Sequence, residues 1–153
     1  MSVYGKFYSV QEKLEDVIEV RSNLRTNKEI MDDMVLDEND KNAVHVVIYA
    51  SNYNNKAIST GRLLYTNNLY SISKIFTIMC EEWEEYEELA VRMLVNKAFN
   101  LGAKEVYADI HTDKLLMYKK IGFLTSGNTA LCIESNYNRV KLLAQDFYRE
   151  CNN

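Results

Sequence analysis

The side chains whose ordinary pKa values lie nearest neutrality are few in this sequence, and their spacing narrows the chemistry further. There are two histidines, His45 and His111, and three cysteines, Cys80, Cys132 and Cys151. The cysteines form no CxxC pair and sit near no histidine at metal-ligand spacing. That pattern supports neither a zinc site nor a disulfide framework, so no metal is expected and the thiols are expected to be reduced. His45 has the intrinsic pKa of a general base, but it lies mid-strand, where a structural histidine is the commoner outcome. Two acidic stretches stand out. Asp37, Glu38 and Asp40 read either as a mouth that attracts a cation or as a solvated loop. Glu81 to Glu88 (EEWEEYEE) reads as a solvated helix face, or as an edge that meets a basic partner through Trp83 and Tyr86.

The 153 residues suit one α/β domain spanning 1–153 rather than two. A net charge of −4 leaves no electrostatic footprint for nucleic acid. No apolar run approaches the roughly 18 residues of a membrane span, and Met1 to Val10 lacks the sections of a signal peptide. A soluble, cytoplasmic protein is the expectation, with no nucleic-acid or membrane partner. Proline is absent, so the turns must come from Gly, Asn, Asp and Ser.

The elements that would position these residues follow from periodicity. Val3 to Ser9 alternates as a strand, and Gln11 to Asn27 has helical spacing. Ala43 to Ala50 (AVHVVIYA) is a buried strand, followed after an Asn-rich turn by strands over Ala57 to Tyr65 and Tyr70 to Met79. A long helix is predicted over Glu81 to Asn100 and ends at Leu101-Gly102. Glu105 to Ile110 is then a strand parallel to an earlier one. A short helix over Asp113 to Lys120 follows, then closing strands over Phe123 to Ser126 and Thr129 to Glu134. Tyr137 to Cys151 reads as a C-terminal amphipathic helix. The series predicts a mixed α/β (α+β) fold with a continuous, mostly antiparallel central sheet flanked by helices.

That order and two stretches resemble the GNAT N-acetyltransferase superfamily. Leu116 to Phe123, LMYKKIGF, is similar to the family's FYEKLGF signature. Val20-Arg21, Asp37-Glu38-Asn39-Asp40, Ala43 to Val47 (AVHVV) and Ser59 to Leu63 (STGRL) are similar in order and spacing to a bacterial branch of it. The resemblance covers Val17 to Ser126. It implies the GNAT acyl-CoA N-acyltransferase fold and transfer of an acetyl or acyl group from acetyl-CoA to an amine on a small molecule or a protein. It also implies that Tyr118 faces the thioester sulfur as the acid. A phenol of pKa near 10 can protonate a departing thiolate of pKa about 8.5. Phe76, Thr77 and Ile78 would lie where the central strand offers backbone groups to pantetheine, and His111 where an Asn commonly contacts CoA.

The family's pyrophosphate loop reads R/Q-x-x-G-x-G/A. The matching stretch is Glu85 to Ala90 (EYEELA), which places Glu85, Glu88, Leu89 and Ala90 at the cofactor. Ala90 alone fits the pattern; Glu85 stands for Arg or Gln and Glu88 for Gly, so ordinary diphosphate binding is expected to be weakened. Lys114 stands where the family prefers Ala, and its ammonium could replace part of the lost neutralisation. Arg62 is expected to be structural. Three readings therefore stand: a CoA-dependent N-acetyltransferase, a catalytically degenerate binding or regulatory module, and an acyltransferase whose donor lacks the CoA diphosphate. A homodimer is compatible with the fold.

Overall fold

Residues 2–9, 14–23, 36–125 and 137–151 are described by a computed structural model of the chain. The β-branched run Val44–Ala50 (β2) is flanked by Val3–Tyr8 (β1) and Lys56–Thr66 (β3), both antiparallel to it. Leu69–Thr77 (β4) returns along β3 through a two-residue turn. Asn67 and Asn68 both take positive φ there (53° and 63°), which matches the twist of the flanking strands. Glu105–His111 (β5), Leu124–Thr125 (β6) and Tyr137–Leu143 (β7) complete a seven-stranded sheet in the order β1-β2-β3-β4-β5-β7-β6. Among the described residues, β4 and β5 are the one parallel pair.

Strand alternation splits the core between two faces. Val46 and Ile48 of β2 turn to one side, where helix Trp83–Asn100 (α2) covers them. Ala90, Val91, Leu94, Val95 and Ala98 of α2 are buried there, a helical spacing that makes one apolar stripe. Val47 and Tyr49 turn to the other side and meet Val17 and Val20 of helix Glu15–Asn23 (α1). The helix predicted over Gln11 to Asn27 runs over Glu15–Asn23 within the described residues; its remaining ends lie outside them. Helix Leu115–Ile121 (α3) stops at Gly122, whose φ of 121° suits glycine.

Two expectations change. Tyr137 to Cys151 is not one helix, since Tyr137–Leu143 is β7 and only Ala144–Cys151 (α4) is helical. The open edge of β5 takes the segment in register from Glu105↔Leu143 to His111↔Tyr137, and Val140 and Leu142 then share the buried face. The strand predicted over Thr129 to Glu134 lies outside the described residues. The second change concerns the segment from Asp37 to Asp40, whose first three residues are exposed but whose last is not. It opens a 3-10 turn, and Asp40 is 2% exposed.

Asp40 is the hub of a buried charge cluster. Arg21 of α1 approaches it with both terminal nitrogens, at 2.9 and 3.1 Å, and Arg62 of β3 reaches it at 3.0 Å. Arg62 also donates to Asp37 at 2.6 Å and to Ser73 at 2.8 Å, in line with its expected structural role. Burial works to raise the Asp40 pKa, but hydrogen bonds from Arg21, the Asp37 amide and Arg62 outweigh it and hold the carboxyl far below its ordinary range. His45 is fully buried beside it, with Nε2 3.1 Å from the Asp40 carbonyl oxygen. Burial lowers its pKa, against the opposing pull of Asp40. His45 thus packs inside the α1 face, away from the cleft described below.

Candidate functional site

A strand pair that separates leaves backbone and side chains facing a gap. β4 and β5 are in register only from Tyr70↔Val106 to Ile72↔Ala108. At that point the β3–β4 register slips, with Arg62 opposite Ser73 but Thr60 opposite Phe76. β4 therefore carries one extra residue, and Lys74 takes a φ of 54°. Such a bulge bends the strand and increases its twist, which carries β4 away from β5. Gly61 sits across from the bulge. A Cβ there would lie 2.4 Å from Ile75 Cδ1 and 2.9 Å from Leu94 Cδ1, so the close approach of β3, β4 and α2 depends on glycine.

The resulting cleft has a volume of about 370 Å³. Ile72 to Phe76 form one wall and Asp109, Ile110 and His111 the other, with Met117 and Tyr118 of α3 and Glu87 of α2 closing one end. Ile72, Ser73 and Asp109 also border a hollow of about 490 Å³ that includes Arg62 and Arg139. Tyr118 is buried to 3% exposure and packs edge-on against Phe123, with ring centroids 5.1 Å apart. Burial, and then the nearby Glu87 charge, push its pKa up from the ordinary phenol value. The hydroxyl stays protonated at neutral pH, but it is a weaker acid than a free phenol.

The N-terminus of α2 opens on a second hollow, of about 450 Å³. Trp83, Glu84, Glu85, Glu87 and Glu88 line it from α2, and Asp113, Lys114 and Lys120 face them. The N-cap residue Glu82 makes no side-chain cap bond; its carboxylate accepts from the Tyr53 hydroxyl at 2.8 Å. Glu87 is the buried acid of the run. Its carboxylate accepts from Lys114 Nζ at 2.7 Å and from Thr77 Oγ1 at 3.4 Å. The same ammonium lies 4.5 Å from the centroid of the Trp83 ring, a cation–π geometry. Glu88 pairs with Arg92 at 3.1 Å and Lys120 at 3.0 Å. Burial works to raise the Glu88 pKa, and these cations more than reverse it.

The sequence-predicted site residues divide accordingly. Tyr118, Phe76 and His111 border the cleft, and Glu85 and Glu88 border the acidic hollow. His111 Nδ1 lies 2.7 Å from Asp113. Glu85 to Ala90 is not a loop but part of the first two turns of α2, and Ala90 is fully buried in the core, with Leu89 packed partly against it. Ala90 has no exposed surface to offer a phosphate. Thr77 ends β4, with its hydroxyl 2.8 Å from that of Ser59. The Ile78 amide is spent on the Ile58 carbonyl at 2.8 Å and is not available to a ligand. Glu87 and the Lys74 bulge were not singled out from sequence. For Glu87 the signal was present, since it falls in phase with Ala90, Val91 and Leu94.

No helix among the described residues is long and apolar enough to cross a membrane, and none of their His, Cys, Asp or Glu side chains form a group of three that could hold a metal. No protein-family model and no curated protein matches the sequence. Solved structures do match. An acyl-CoA N-acyltransferase from Pseudomonas aeruginosa superposes with a TM-score of 0.71 at 11% identity, over 92% of this chain and 99% of the other. An N-acetyltransferase from Staphylococcus aureus Mu50 gives 0.68 at 12%, over 94% and 98%. A Bacillus subtilis acetyltransferase in complex with CoA gives 0.65 at 17%, over 93% and 99%. The chain has the GNAT N-acetyltransferase fold.

Proposed function

We propose that the chain transfers an acyl group from a thioester to an amine in the cleft between β4 and β5. The observation that carries this reading is the placement of Tyr118 at the end of a gap opened by the Lys74 bulge. A thioester laid along the gap would present its carbonyl carbon to an amine entering from the hollow beside Arg62 and Asp109. The amine nitrogen attacks that carbon, the C–S bond breaks with its electron pair passing to sulfur, and the thiolate takes a proton. Tyr118 is the donor. Its raised pKa makes full transfer to a thiolate of pKa about 8.5 uphill by more than about 2 kcal/mol, so the hydroxyl serves mainly as a hydrogen-bond donor while charge develops on sulfur. The nitrogen loses its proton to solvent or to a base.

Acetyl-CoA is the donor implied by the fold, and its two halves fit unequally. The thioester and pantetheine arm suit a narrow, largely apolar gap. The diphosphate does not suit the hollow at the α2 N-terminus, where carboxylates line the surface and already hold Lys114 and Lys120. That same misfit favours a second reading, a binding module of this fold that no longer catalyses. The acceptor is a small-molecule or protein amine.

Thiol release separates the two readings. The full chain is mixed with acetyl-CoA or acetyl-pantetheine and a panel of amino acids, polyamines and peptides, and free thiol is followed over time. Amine-dependent release from either donor is the expected result. Release from neither donor, with any amine, would remove the enzymatic reading and leave the binding module.

A further inference from the structure

We infer that the donor taken by this cleft is a thioester without a diphosphate, because a carboxylate of the protein itself occupies the cation that would otherwise meet one. The inference rests on the acyl-transfer reading above and specifies the substrate class of that site. Lys114 sits between the cleft and the hollow at the α2 N-terminus and lines both. Its ammonium is held by Glu87 at 2.7 Å and by the face of Trp83 at 4.5 Å. The Glu87 side chain is 6% exposed. If a phosphate took Lys114, Glu87 would be left buried without its cation, which is strongly unfavourable. Lys120 offers no easy substitute, since Glu88 holds it at 3.0 Å. Glu84 and Glu85 add unrelieved negative charge along the same wall, and like charges repel an incoming anion. Beyond these acids the cleft itself remains open to a neutral pantetheine-like arm, with Tyr118 and His111 on its border.

Calorimetric titration of the full chain with acetyl-CoA and with acetyl-pantetheine tests this. The diphosphate should add no affinity, so acetyl-CoA should bind no more than about tenfold tighter than acetyl-pantetheine, and weaker where the carboxylates repel it. Glu87→Gln frees Lys114 and should strengthen acetyl-CoA binding by about tenfold relative to acetyl-pantetheine, whose own binding serves as the internal reference. Acetyl-CoA binding more than about tenfold tighter than acetyl-pantetheine in the wild type would overturn the inference and leave the acyl-transfer reading standing. Binding of neither would overturn that reading, and the inference with it. The wild-type comparison needs no variant to fold.

Discussion

Two buried carboxylates in this molecule do opposite work. Asp40 on the α1 face meets two arginines, and both guanidiniums converge on it from elements far apart in sequence. Glu87 at the cleft end meets one lysine, which is itself about one-third exposed. The first arrangement is closed, satisfied by rigid forks and tied to a capping box. The second is asymmetric, with a flexible ammonium that borders two hollows. The contrast separates a charge cluster that fixes the fold from one that decides what the cleft admits.

The largest expected effect breaks the closed cluster. Asp40→Ala leaves Arg21 and Arg62 buried without their shared anion, and should cost about 3–5 kcal/mol in denaturant unfolding. A loss below about 1 kcal/mol would mean that water or Asp37 can serve in its place. The cluster also sets an acid limit. The Asp40 and Asp37 pKa values lie below their unfolded values in the folded chain, so their contribution is present above the unfolded value near 3.9 and is lost as pH falls through the folded one. Stability from this source should be flat between about pH 7 and 5, and should decline below about pH 4. Urea midpoints across that range read it directly, and the decline should be shallower in Asp40→Ala.

The smallest effect belongs to the open side. Glu88 pairs with Arg92 and with a Lys120 that is 69% exposed, so Glu88→Ala should change stability by no more than about 1 kcal/mol. A larger loss would place Glu88 among the supports of the fold and blur the contrast with Asp40.

Much of the fold was legible because strands and helices announce themselves by period. AVHVVIYA became β2, the two asparagine pairs became turns, and the acidic run led into α2, two residues later than its predicted start. What escaped depends on partners distant in sequence. Tyr137–Leu143 pairs as a strand because β5 leaves it an edge, and nothing within those seven residues encodes that edge. Asp40 was read as solvated because Arg21 and Arg62 lie 19 and 22 residues from it; the spacing of Asp37 and Asp40 held the capping box as a clue. At the site, Tyr118 was legible through LMYKKIGF, whereas the supposed phosphate loop was placed inside α2. One carboxylate in EEWEEYEE differs from the rest because the helix turns Glu87 inward.

The most direct test of the acyl-transfer account compares turnover with binding in Tyr118→Phe, which removes one oxygen from a residue packed against Phe123. Amine-dependent thiol release should fall by about 10²-fold, while acetyl-pantetheine binding, followed by calorimetry, should hold within about twofold. Equal turnover in the two proteins, or a loss of binding as large as the loss of turnover, would contradict a role for the Tyr118 hydroxyl in the chemical step.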